Sequence, residues 1–192
     1  MRAFDPWVGP HYQTEGLAGT KLMVLGESQY PGPEYAHLYP GGAPTPGCRS
    51  SIQENVRELV FENRNAFFTK ITKLVLGQPA KKWVPQEARQ DFWERVAFYN
   101  YIQWWLSAAR SRPSEQNWID ALAPFLDVLA ELRPDVLLVL GNELASRLPK
   151  IFPSEIEVVK IPHPSSKGFS YDPWTNLVRD AFERSKRMRG AP

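Results

Sequence analysis

The 192-residue chain has a single cysteine, Cys48, so it lacks an internal disulfide and the thiolates for an iron–sulfur cluster or structural zinc. A reducing compartment is the expected home. No apolar run reaches the roughly 20 residues that cross a bilayer, and the opening MRAFDPWVGPHYQ has no apolar signal core, so a soluble, cytoplasmic protein with no membrane partner is expected. Neither sign of charge dominates. With 23 Lys and Arg against 21 Asp and Glu, a net charge of +2 gives no domain-wide field for polyanions, leaving only a local basic patch as a route to nucleic acid. Neither G-x-G-x-x-G nor G-x-x-x-x-G-K-[ST] occurs, so no nucleotide cofactor is expected. His11, His37 and His163 stand at no ligand spacing to one another, and no metal is expected either.

Proline and aromatic residues are plentiful instead, with 18 Pro, 7 Trp, 7 Tyr and 10 Phe. Together with 43% hydrophobic and 23% charged residues they describe one globular domain over residues 1–192, expected as a monomer, with long shaped loops. The longest such loop is residues 31–47, where five Pro, four Gly and one charged residue forbid regular structure.

Four apolar runs read as strands: residues 21–26, 96–100, 135–141 and 156–162. The first three are apolar almost throughout, as strands buried on both faces are, while the fourth alternates like an edge. Helical spacing is clearest from Ser114 to Leu132, with Trp118, Leu122, Phe125, Leu126, Leu129 and Leu132 on one stripe, Ser114 as N-cap, Pro134 as stop and a kink expected at Pro124. Residues 50–76 read as two helices broken near Asn63 and Asn65, and shorter helices are expected at 86–94, 142–149 and 173–189. The basic tail 179–189 reads as a solvated helix face. Strands alternating with helices predict a three-layer α/β/α sandwich around a mainly parallel four-stranded sheet.

In such sheets ligands bind beyond the carboxyl ends of the strands. The four ends here are Gly26-Glu27-Ser28-Gln29-Tyr30-Pro31, Asn100-Tyr101, Gly141-Asn142-Glu143 and His163-Pro164-Ser165-Ser166, all polar, and a parallel sheet brings them to one rim.

In order and spacing, VLGESQYPGP (24–33), the strand ending in Asn100, RPDVLLVLG (133–141) and IPHPSS (161–166) resemble the uracil-DNA glycosylase superfamily. The resemblance implies hydrolysis of the N-glycosidic bond of uracil or another deaminated base, with damaged DNA as partner. By the same resemblance Glu27 or Ser28 polarises or positions water, Asn100 reads the base edge, His163 stabilises the departing base, and Ser165 with Ser166 holds a DNA phosphate. A tyrosine of the first loop, Tyr30, Tyr35 or Tyr39, would stack on the base, and Phe169 would enter the duplex as a wedge. The chain differs from the best-known branch at Ser28, which replaces Asp, at Gln29, which replaces Pro, and at Ser166-Lys167-Gly168, which replaces Pro-Leu-Ser. Glu27 matches the Glu of the iron–sulfur branch, G-E-A-P-G, whose four cysteines are absent.

The residue types suit the chemistry. Breaking the bond puts positive charge on the sugar and negative charge on the base, so a donor is needed at the base oxygen and an anion or oriented water beneath the sugar. A carboxamide offers both an acceptor and donors to a flipped pyrimidine. Two other readings use the same residues. Gly26-Glu27-Ser28 and Gly141-Asn142-Glu143 resemble blocks of the GDSL esterases, with Ser28 as nucleophile, His163 as base and Asn142 as oxyanion donor, although Lys160 stands where an acidic partner is needed. A non-catalytic nucleic-acid or nucleotide binding module on the same fold is the other. More mundane roles are a Glu27 that merely accepts backbone N–H bonds, and Tyr101, Trp104 and Trp105 as packing residues.

Overall fold

The computed structural model describes residues 2–31, 42, 48–108, 111–150 and 152–190. Its strands are β1 (Trp7–Val8), β2 (Leu22–Gly26), β3 (Ala97–Asn100), β4 (Val136–Leu140) and β5 (Glu157–Ile161), and its helices are α1 (Ser51–Val56), α2 (Ala66–Val75), α3 (Gln86–Glu94), α4 (Glu115–Leu132), α5 (Asn142–Arg147) and α6 (Asp172–Gly190). The sheet has five strands in the order β1-β3-β2-β4-β5 rather than four. β2 through β5 are the four expected strands and run parallel, whereas the two-residue β1 adds an antiparallel edge on β3. Two residues carry no periodicity, so this strand exists only by pairing with its neighbour.

All of β2, β3 and β4 is buried, as their unbroken apolar character requires. On one face Phe98 meets Phe67 and Phe68 of α2 and Trp93 of α3, and Glu157 of β5 pairs with Arg184 of α6. The step from β2 to β3 and the step from β3 to β4 run in opposite directions across the sheet, so right-handed crossovers put α4 on the other face. β5 lies at the far edge and alternates, with Val159 and Ile161 buried and Lys160 exposed.

The helix signals hold with local changes. Ser114 caps α4 in a reciprocal box with Asn117, and Arg133 in the left-handed region ends the helix before Pro134. The helix continues through Pro124 as one element. Leu122 and Leu126 are 39% and 46% exposed, not part of the buried stripe, because Ala121, Phe125 and Val128 already fill the side that packs inward. Between α1 and the break at 63–65 the chain widens into a π-helical stretch, Arg57–Glu62, closed by the Asn63 N–H on the Glu58 carbonyl. The buried Arg89 guanidinium binds the Val60 and Asn63 carbonyls, fastening α3 to that stretch.

Gly9 is a close-approach position. Its N–H bonds the Val96 carbonyl, and a Cβ there would lie 2.2 Å from the Glu94 carbonyl oxygen. Gly9→Ala is expected to cost about 1–3 kcal/mol through backbone displacement. A lowered urea midpoint at unchanged slope would show it.

Candidate functional site

Chain order reverses between β2 and β4, so the loops after them part and leave a crevice beyond the carboxyl ends. Gly26 ends β2 in register with Asn100 at the end of β3. Beyond the sheet the two chains stay in step, with Tyr101 N–H on the Gly26 carbonyl and Ile102 N–H on the Glu27 carbonyl. Gln103 holds the Asn100 carbonyl through Nε2 at 2.8 Å and receives the Ala3 and Phe4 N–H groups.

The Asn100 side chain lies across Gly26: a Cβ on that glycine would sit 2.3 Å from Asn100 Oδ1. Among the described residues the carboxamide has no hydrogen-bond partner, which leaves its acceptor and donors for a ligand. Gly26→Ala is therefore expected to swing this carboxamide away. Ligand discrimination should fall while the melting temperature drops only modestly, because the flexible Asn100 side chain can yield, although Phe98 ring carbons at 3.3 and 3.4 Å resist.

His163 follows β5. Its Nδ1 accepts the Ser165 N–H at 3.1 Å, and its ring stacks on Phe67 with centroids 5.2 Å apart and planes 20° from parallel. Burial, then the Lys70 ammonium, holds its pKa below the usual imidazole value. A neutral ring whose Nδ1 is an acceptor carries its proton on Nε2, so His163 presents an N–H donor. The Ser166 N–H and hydroxyl both close on the His163 carbonyl, and Lys70 Nζ donates to the Pro164 carbonyl at 2.8 Å, so the turn is held from two sides. Gly141, at φ +119°, brings the β4 end near it: a Cβ there would be 3.9 Å from His163 Cβ.

Glu27 is half-buried at the start of the turn after β2. Burial pushes its carboxyl pKa up, Glu143 raises it further, and Arg112 acts in the opposite direction. Arg112 donates to Glu143, so the three groups form one charged cluster drawn from the turn after β2, the segment between β3 and α4, and the first turn of α5. Among the described residues neither the Glu27 carboxylate nor the Ser28 hydroxyl has a hydrogen-bond partner. Gln29, 4% exposed, pins the turn through Nε2 on the Ser51 hydroxyl at 2.7 Å, and its Oε1 has no partner among the described residues.

The remaining expected residues divide. Tyr30 is 47% exposed at the end of the turn, while Tyr35 and Tyr39 lie outside the described residues. Ser165 is exposed and gives only its N–H to His163, whereas the Ser166 hydroxyl is spent on the turn. Phe169 is half-buried against the core and meets Tyr171 edge-on at 5.4 Å. Asn142 opens α5 and is exposed, and Tyr101 and Trp105 are buried packing residues. Trp104, expected to pack, is 38% exposed.

Phe67 and Lys70 were missed by the sequence reading. The pair Phe67-Phe68 gave no sign of which ring reaches the rim, since adjacent helix positions can both face a core, as Val128 and Leu129 do. Here Phe68 is buried and Phe67 turns to the rim. Among the described residues no group of three or more His, Cys, Asp or Glu is placed to hold a metal ion, and no helix is long and apolar enough to cross a membrane.

No family model matches the chain, and no curated protein matches it in sequence. A solved structure to which it is similar is a point mutant of the UNG protein, a uracil-DNA glycosylase, from Nitratifractor salsuginis. The two are 16% identical over 88% of this chain and 73% of that one, with a TM-score of 0.37.

Proposed function

We propose that the protein is a DNA glycosylase that hydrolyses the bond between deoxyribose and uracil or another deaminated base. The observation that carries this reading is the state of His163, a neutral imidazole with Nδ1 committed to Ser165 and Nε2–H left to donate. Such a donor stabilises the negative charge that gathers on a departing base, and a preset donor in a partly buried site needs no reorganisation as that charge develops.

The other parts follow from position. Asn100 pairs with the edge of a base turned out of the stack. Glu27, its carboxyl pKa pushed up by burial and Glu143, acts in its ionised form: it takes a proton from water as the water oxygen bonds to the sugar carbon, and the base leaves with its bonding electrons and is then protonated. The stretches quoted above as resembling the uracil-DNA glycosylase superfamily are the ones that hold these residues.

The same histidine speaks against a serine hydrolase. A base that activates Ser28 through Nε2 needs its proton on Nδ1, usually held there by a carboxylate, whereas here Nδ1 receives an N–H. A binding module without chemistry predicts DNA affinity and no product.

Labelled oligonucleotides carrying one uracil, hypoxanthine or xanthine, treated with alkali after incubation, separate these readings. Strand cleavage at one of the modified positions is expected. Intact strands on every substrate, from folded protein that retains DNA, would sink the proposal in favour of the binding module.

A further inference from the structure

Residues 63–86 contain five basic residues, Arg64, Lys70, Lys73, Lys81 and Lys82, and no acidic one, in a chain whose net charge is only +2. Among the described residues none of the five is in an ion pair. Lys70 and Lys73 donate to the Pro164 and Ala80 carbonyls, contacts that leave their charge uncompensated. In the middle of this field Trp83 is 67% exposed, with the Arg64 guanidinium 3.4 Å above its ring centre. Arg64 is itself held by a hydrogen bond to the Val84 carbonyl at 3.3 Å. The indole is thus backed by a fixed cation and otherwise open to solvent, an unusual fate for so large an apolar ring.

Its position bears on the site. Arg64 immediately precedes Asn65, the N-cap of α2, and Phe67 in the first turn of that helix stacks on His163. α3 begins three residues after Trp83 and runs towards the amino end of β3, so its own start lies at the carboxyl rim of the sheet. Trp83, Lys81 and Lys82 therefore stand at the same rim as the crevice.

We infer that residues 81–83 with Arg64 form a docking surface for single-stranded nucleic acid flanking the base in the crevice. This inference rests on reading that crevice as a base site. One base stacks on the free side of Trp83, and Lys81, Lys82 and Arg64 neutralise adjacent phosphates. A duplex hides its base faces within its own stack, and a purely electrostatic partner has no use for an exposed indole, so an unpaired strand fits both features.

The test is the affinity of a fluorescent ten-residue oligothymidylate, free of any modified base, measured by anisotropy from 50 to 200 mM salt. Trp83→Ala is expected to weaken binding about tenfold, with Trp83→Phe restoring most of it. Lys81→Ala with Lys82→Ala should flatten the salt slope by roughly 1.4. All three side chains are exposed, so melting temperatures should stay unchanged. No binding by the unaltered protein, unchanged affinity in Trp83→Ala, stronger binding of the matching duplex, or an equal effect of Trp83→Ala on heparin binding would each overturn the inference. Because the probe carries no excisable base, failure of base release with intact binding would instead strike the proposed function alone.

Discussion

His163→Ala is expected to slow base release by about a hundredfold or more, the usual cost of deleting a preset donor to a developing anion. Affinity for the modified DNA should change only a few-fold, because the donor is needed most when charge gathers on the base and much less while the base is still bonded to the sugar. The geometry sharpens this expectation. Nδ1 already accepts the Ser165 N–H at 3.1 Å, so protonating the ring would set two donors against each other and loosen the turn. Burial and the Lys70 ammonium also oppose the cation, so the neutral ring is the working form at pH 7. Single-turnover rates and binding measured side by side check the division. Equal losses in both would make His163 a binding group or a structural one.

The second large effect belongs to Glu27. Glu27→Gln is expected to lower the rate by a factor of about 100 or more, within the range for loss of a positioned base. The pH profile identifies the group. Only the ionised carboxylate can take a proton from water, so the rate is full above the Glu27 pKa and falls towards tenfold per pH unit below it. Burial and Glu143 hold that pKa above the ordinary carboxylate value, so the fall begins at higher pH than for an exposed glutamate. Glu143→Gln should move the acid limb to lower pH, and Arg112→Ala, which removes the opposing positive charge, should move it higher. A limb unmoved by both changes would show that Glu27 is not the titrating group.

Much of this arrangement could be read from the chain. The unbroken apolarity of Leu22–Leu25 and Val136–Leu140 announced strands covered on both faces, and Gly26, Asn100, Gly141 and His163 marked where they end at one rim. β1 could not be read, because Trp7–Val8 is too short to show a period and is held by pairing with β3. Leu122 and Leu126 misled because apolar spacing does not say which of two adjacent stripes faces inward. The role of Phe67 depends on β5 and α2 meeting across nearly a hundred residues of sequence, and the tautomer of His163 depends on a backbone N–H two residues away. Pattern reading gives no distances of that kind.

The most direct measurement is mass spectrometry of the products from a uracil-containing oligonucleotide incubated with the protein in water enriched in oxygen-18. Hydrolysis of the glycosidic bond predicts free uracil with no label and an otherwise intact strand whose abasic sugar carries one heavy oxygen, both lost in Glu27→Gln. Uracil that stays attached to its sugar, or heavy oxygen found in a cleaved phosphate, would contradict the account.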